Sequence, residues 1–292
     1  MIHHLDEHTV AHLKTWEGRS ESVTDLITAA PMRGLSAMLD RNDPEPEHGA
    51  LPPLWHWLYF LPRHQQSELG PDGHAMLGGF LPPVPFPRRM WAGGRLHWHA
   101  PLHVGDAVKK ISRVKRVQHK QGRSGELLFV MVSHEIHNDK GLCVSEEHDI
   151  VYRPLQTASA NDISPVYASR PHAWARHIVP DDVLLFRYSA LTFNAHRIHY
   201  DRRYCMETEG YPGLVVHGPL LATLLLDLLR LNSQQDIASF DFKAVHPCFE
   251  CADQRPIHLH GQPHADESGV DLWVQDHEGQ VNMQATAVFR HH

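Results

Sequence analysis

The chain is short of cysteine, of basic charge and of long apolar runs. Its four cysteines, Cys143, Cys205, Cys248 and Cys251, are spread over 292 residues. That is too few for a disulfide framework in a chain of this length, so reduced thiols are expected. Lysine and arginine total 27 against 34 acidic residues, a formal net charge of −7. A nucleic-acid partner, which calls for a basic surface, is therefore disfavoured. Residues 1–18 are charged throughout and contain no apolar core of the kind a secretory signal requires. The most hydrophobic stretch, residues 218–231, is too short for a bilayer and is broken by Pro219 and Asp227. A cytoplasmic protein with no membrane partner is the expectation.

What the chain does have is histidine, 27 in all, scattered through every region. Exposed histidines would swing the net charge around pH 6. Hydrophobic residues make up 42% and charged residues 21%, the balance of an ordinary globular protein. The length suits one large domain or two of common size.

Residues 5–17 read as a short helix. Residues 20–40 read as helical too, with Ser22 as N-cap and Pro31 as an interruption. Residues 54–61 are apolar nearly all round and open on Pro52-Pro53. Residues 62–94, ending in a Pro/Gly-rich run, read as irregular chain that covers something. Alternating strands follow at 95–104, 107–118, 126–137 and 142–153, with a hairpin turn at Asn138-Asp139-Lys140-Gly141. Residues 156–172 are polar and proline-containing, the best candidate for a linker between an N-terminal module, 1–155, and a C-terminal one, 173–292. The second half repeats the order. A short strand near 182–187 leads to a polar, histidine-rich segment and then to the 218–231 run. That run is apolar on almost every face and opens on Gly218-Pro219, which marks a buried central helix. Strands at about 238–246, 256–261, 269–275 and 280–290 complete the half. A helix wrapped by a curled antiparallel sheet, twice over, is the simplest α+β solution.

The run FRYSALTFNAHRIHYD (186–201) with EGYPGLVVHGPL (209–220) resembles the MaoC-like branch of the hotdog fold. That branch contains enoyl-CoA hydratases and 3-hydroxyacyl dehydratases. Its signature is an Asp, a His five residues on, and then a His-Gly that opens the central helix. The matching positions are Asn194, His199 and His217-Gly218. The longer phrase is similar to two-hotdog itaconyl- or mesaconyl-C4-CoA hydratase-like proteins and to mitochondrial-type 3-hydroxyacyl thioester dehydratases. The first half resembles their degenerate N-terminal hotdog through PFPRRMWAGG (85–94). The resemblance implies a double hotdog, with the first module degenerate and the second catalytic. A homodimer or a one-chain pseudo-dimer is the implied assembly.

The implied reaction adds water to, or removes it from, a short-chain branched or dicarboxylic enoyl-CoA thioester. Rival readings are a dehydratase of fatty-acid synthesis and a non-catalytic acyl-CoA-binding protein. The thioester oxygen needs donors as it becomes enolate-like, and a helix N-terminus at Gly218 supplies a backbone N–H. His199 is the implied acid/base, because an imidazole titrates near working pH. Asn194 stands where the branch has Asp; an amide orients water but cannot take its proton. Asp201 and Asp106 are alternative carboxylates. His217, His196, Arg197 and Tyr200 line the same segment, and Arg197 suits a second substrate carboxylate. Arg88 and Arg89 are placed for CoA phosphates, or are simple surface charges. No organic cofactor is expected, because the thioester itself acidifies Cα. Cys248-Phe249-Glu250-Cys251 with His246, His258 and His260 has zinc-like spacing, but one pair falls short of a closed site, so no metal is expected.

Overall fold

The computed structural model describes residues 4–43, 49–122, 125–154, 166–167, 170–250 and 253–290. Ten strands form one antiparallel sheet: β1 (Ser20–Leu26), β2 (Arg88–Trp98), β3 (Ala107–Gly122), β4 (Gly125–Asn138), β5 (Gly141–Arg153), β6 (Trp174–Ile178), β7 (Ile237–Ala244), β8 (Ile257–Pro263), β9 (Gly269–Gln275) and β10 (Val281–Phe289). Their order is β1-β3-β4-β5-β2-β7-β10-β9-β8-β6. The first five in that order come from the first half of the chain and the last five from the second. The halves meet where β2 pairs β7, from Gly93 opposite Lys243 to His97 opposite Ser239. Glycine is required at this seam. A Cβ on Gly93 would lie 2.6 Å from the Phe242 carbonyl oxygen, and one on Gly94 would lie 2.6 Å from the Phe242 ring.

The alternating runs became the long strands because alternate residues share a face and only one face is buried. The β4–β5 hairpin closes over Asp139-Lys140, with Gly141 at φ 131° where other residues are strained. The second half holds the central helix α5 (Gly218–Asn232), on which Leu220, Leu221, Leu224, Leu225, Leu226, Leu228 and Leu229 are all buried. Its one charged core residue, Asp227, is 1% exposed and is met by Arg176 at 2.6 Å and Arg41 at 3.0 Å. Arg41 comes from the first half, so the pair also joins the halves. Among the described residues, no helix is long and apolar enough to cross a membrane.

Four sequence expectations change. Residues 20–40 are not one helical stretch: β1 pairs with β3 from Ser20–Arg113 to Leu26–Ala107, and only then does α2 (Ala29–Met38) begin. The open edge of β3 overrides the helical spacing. Pro31 sits in the first turn of α2, where a missing N–H costs nothing. The strand expected at 95–104 starts earlier, at Arg88, because β5 pairs it from Arg153 onward. Residues 182–187 are helical, in α3 (Asp182–Leu191), because the Asp181 side chain caps the Leu184 N–H at 2.8 Å. A short apolar run does not itself distinguish strand from helix. Residues 54–61 supply one 3-10 turn, Trp55–Leu58, bracketed by Leu54 and Phe60 at positive φ. The first half thus has the ten-residue α2 and that single turn where the second has the fifteen-residue α5. Most of residues 156–172 lie outside the described residues. Two short helices complete the chain, α1 (Glu7–Lys14) and α4 (Arg202–Glu207).

Candidate active site

The site is built at the entry to α5. His217 is its N-cap residue and is fully buried. Its Nε2 lies 2.8 Å from Ser189 Oγ on α3, while Nδ1 has no hydrogen-bond partner. Gly218 follows, with the first N–H groups of the helix free of intrahelical partners. A Cβ here would meet the Trp91 ring at 3.3 Å, so β2 of the first half covers the helix entry. The Trp91 indole N–H is buried and without a partner.

His199 ends a 3-10 turn, Arg197–His199, and is buried. Its Nδ1 lies 2.7 Å from the Val215 carbonyl oxygen. A carbonyl only accepts, so Nδ1 carries the proton and Nε2 holds the free lone pair. Burial pushes the imidazole down to about 4, so the ring is neutral at pH 7. The same cause, with His199 and His196 adding to it, holds His217 well below the usual histidine range.

The imidazoles run in a row. His217 stacks on His199 at 3.7 Å between ring centres, His196 meets His199 edge-on at 5.3 Å, and His74 lies 4.0 Å from His196. At the far end, His74 Nδ1 donates to Asp72 Oδ2 at 3.0 Å and the His74 backbone N–H donates to Oδ1 at 3.0 Å. Asp72 and His74 come from the first half. Their loop is clamped to the histidine-rich segment: the Arg197 N–H donates to the Asp72 carbonyl at 2.9 Å, and the Arg197 guanidinium donates to the Pro71 carbonyl at 3.0 Å. Gly73, at φ +90°, presses so close that a Cβ would sit 1.8 Å from the Ala195 oxygen. Neither Asp72 nor His74 stands out in the sequence, because both lie in the covering run 62–94. The signal they carry is Pro71-Asp72-Gly73-His74, a tight turn with an acid and an imidazole side by side.

The other expected site residues fall around this row. Asn194 Oδ1 accepts the His196 N–H at 3.0 Å, which commits that oxygen to the turn. Tyr200 is exposed, and its hydroxyl donates to the Ala195 carbonyl at 3.0 Å. Arg197 is spent on Asp201, at 2.7 and 3.0 Å, and lies over the Tyr204 ring. Arg88 is paired with Glu209 and lies over Tyr211. Arg89 makes no ion pair among the described residues, and its charge acts on His74, His196 and Tyr152. Both of the alternative carboxylates already hold hydrogen bonds. Asp201 also caps the Tyr204 N–H at 3.0 Å, and Asp106 binds the His103 N–H at 2.9 Å and Asn138 at 3.1 Å in the β2–β3 turn.

Two groups of described residues bring possible metal-ligand atoms within 4.8 Å of one another: Asp72, His74 and His196, and His134, Glu146 and His148. The Cys-x-x-Cys pair is not among them. Cys248 is buried, Cys251 lies outside the described residues, and His258 Nδ1 is 2.6 Å from His177 Nδ1.

A buried neutral imidazole with a free lone pair, beside a glycine-opened helix start, can take a proton from water and stabilise an oxyanion. The chain is a double-hotdog hydro-lyase. The family model for hydroxyacyl-thioester dehydratase type 2 matches residues 54–250, and the chain belongs to that family. It is 45% identical over 276 residues, 93% of this chain and 95% of the other, to the mesaconyl-C(4)-CoA hydratase of Chloroflexus aurantiacus. Among solved structures it is similar to a MaoC-like dehydratase, with a TM-score of 0.73 at 13% identity over 96% of this chain and all of the other. It is also similar to a Mycobacterium tuberculosis protein described as a double hotdog fold, with a TM-score of 0.58 at 13% identity over 93% and 96% of the two chains.

Proposed function

We propose that the chain hydrates, reversibly, a short-chain branched or dicarboxylic enoyl-CoA thioester, of the mesaconyl- or itaconyl-CoA to citramalyl-CoA type. The observation that carries the reading is His199, neutral, with Nε2 unprotonated, stacked against the residue that opens α5. The similarity to a mesaconyl-C(4)-CoA hydratase supports the substrate class.

Water adds its oxygen to Cβ. One of its O–H bonds breaks, and the proton passes to His199 Nε2. The C=C electron pair moves onto Cα through the thioester enolate, whose oxygen is held by the Gly218 N–H. The proton then returns from His199 to Cα, so the imidazole ends neutral as it began. Neither metal nor organic cofactor is called for. Arg89 lies beside the row, and suits the second carboxylate of a dicarboxylic acyl group better than Arg197, whose guanidinium is already committed. Residues 1–155 and 173–292 act as two modules of one pseudo-dimer, with 156–172 between them; a homodimer of such chains is compatible with this arrangement.

The family match favours one second reading, a 3-hydroxyacyl thioester dehydratase acting on fatty-acyl chains. The test is mass spectrometry of the protein incubated with mesaconyl-C4-, itaconyl- and crotonyl-CoA, with His199→Ala alongside. One water gained on a dicarboxylic substrate and lost in the variant supports the first reading. Hydration of crotonyl-CoA alone moves the assignment to the second. No product from any of them rejects both for these substrates.

A further inference from the structure

The hydration chemistry has a gap at Asn194. The resembling signature places a carboxylate there, and an amide cannot do the work of one. The structure brings a different carboxylate to the same row of imidazoles, from the other half of the chain. We infer that the Asp72–His74 pair, on the first half's covering loop, completes the site: Asp72 fixes His74 so that its Nε2 holds the reacting water jointly with His199 Nε2. This rests on the hydratase reading above, and applies equally to its reverse, dehydration.

The geometry is specific. His74 Nδ1 donates to Asp72 Oδ2 at 3.0 Å, so the ring's proton sits on Nδ1 and the lone pair on Nε2. A carboxylate behind a histidine sets tautomer and orientation in this way. His74 and His199 flank the same residue, His196, at ring distances of 4.0 and 5.3 Å. The loop is not loosely laid on. Its backbone is held by two Arg197 donors, and Gly73 permits a contact with Ala195 that any side chain would forbid. His74 keeps 21% of its side-chain surface, enough to reach a bound water.

Water has two O–H bonds, and the reaction uses them differently. The one that breaks gives its proton to His199 Nε2, which returns it to Cα. The one that survives becomes the product hydroxyl. It needs an acceptor while the oxygen attacks Cβ, and His74 Nε2 is that acceptor. His74 is thus the second catalytic residue and Asp72 its positioning residue. Net proton transfer is zero, and no metal or further reactant enters.

The test is Asp72→Asn, with His74→Gln and Met76→Ala, measured by steady-state hydration on whichever thioester the wild type turns over. Melting temperature and ring 15N spectra of histidine-labelled protein are recorded alongside. An amide at position 72 presents an N–H to His74 Nδ1 and drives the proton to Nε2, the wrong tautomer. The expected result is a fall in kcat of about 10²-fold in Asp72→Asn and His74→Gln. KM and melting temperature stay near wild type, and the exposed Met76→Ala is unchanged. The His74 signals, assigned by their absence in His74→Gln, should show Nδ1–H in wild type and Nε2–H in Asp72→Asn. Asp72→Asn with kcat within about threefold of an active wild type would overturn the inference, as would wild-type His74 protonated on Nε2. A loss seen only in KM and melting temperature would make the loop structural and also overturn it. So would activity removed by a chelator and restored by zinc, because the three donors would then be holding metal. Wild type inactive on every thioester counts against the hydratase reading, while the 15N spectra still decide whether the pair is set as described.

Discussion

Each half of the sheet buries a polar cluster, and the two differ in whether a carboxylate sits at the centre. In the first half the Glu146 carboxylate lies 3.0 Å from His56 Nε2, 3.0 Å from the Trp57 indole N–H and 3.3 Å from His148 Nε2. Burial works to raise the Glu146 carboxyl, but His148 and His56 beside it hold it well below the usual range. In the second half, among the described residues, no carboxylate bonds to the stacked pair His199 and His217. His199 Nε2 is free, and His217 Nδ1 and the Trp91 N–H beside it are buried and unpartnered. Buried polar atoms are normally satisfied, and each cluster keeps one that is not, His148 Nε2 in the first and His217 Nδ1 in the second. The first cluster is centred on a buried carboxylate; the stacked pair in the second is not. The first half also packs Trp91, Asp72 and His74 against the entry to α5 and the histidine-rich segment, so a module without its long helix still meets the second half there.

That contrast can be broken most sharply at the two cluster centres. His199→Ala should lower kcat for hydration by about 10²- to 10⁴-fold with the melting temperature little changed. Glu146→Gln should do the reverse, because it strips the charge that His56 and His148 are packed around. A loss of about 2–3 kcal/mol in urea unfolding is expected, with turnover kept. Equal activity losses in both variants would erase the distinction.

The join between the halves comes next. Asp227→Asn removes the carboxylate that Arg176 is paired with and leaves Arg41 with Asp43 alone. A cost of about 2–3 kcal/mol is expected by chemical denaturation, below that of a fully uncompensated charge because Arg41 keeps Asp43. Gly93→Ala should cost about 1–3 kcal/mol, because its Cβ meets backbone that cannot step aside.

Acid should sharpen the comparison further. The folded His199 titrates near 4, below its unfolded value of about 6.5. Between those values the unfolded chain binds more protons, so stability is full above about pH 6.5 and falls as pH drops towards 4. One such group is worth up to about 3 kcal/mol. The first half has a counterpart in His134, which burial and then His148 push down to about 3. Denaturant midpoints between pH 7 and 4.5 should therefore fall in wild type, and less steeply in His199→Gln. The smallest effect expected is that of Trp91→Phe, which keeps the ring over Gly218 and removes the N–H. A drop in kcat of about three- to tenfold would assign that donor to the transition state, and no drop would make Trp91 a wall.

Much of this is legible in the sequence because the relevant signals are local. Alternation marks seven of the strands to within a few residues, and Gly218-Pro219 before a leucine run marks α5. Asn194, His199 and His217 lie within one continuous segment, which is why the row's second-half members can be named from it. The parts that do not show depend on distant chain. β1 is a strand because β3 offers an edge, which spacing inside residues 20–26 does not reveal. Asp72 and His74 join the row only because Gly73 lets a loop about 120 residues upstream touch Ala195. The Arg197–Asp201 pair is a local i,i+4 contact, but nothing in the sequence around Arg197 shows that the distant Pro71 carbonyl also claims its guanidinium.

The most direct test of the central claim, that the second half's open imidazole row adds water to an enoyl thioester, is incubation with mesaconyl-C4-CoA in ¹⁸O-labelled water. Wild type and Glu146→Gln should each give a product carrying one labelled water, and His199→Ala should give none. Labelled product from His199→Ala at the wild-type rate, or its loss in Glu146→Gln with the fold intact, would put the chemistry in the wrong half.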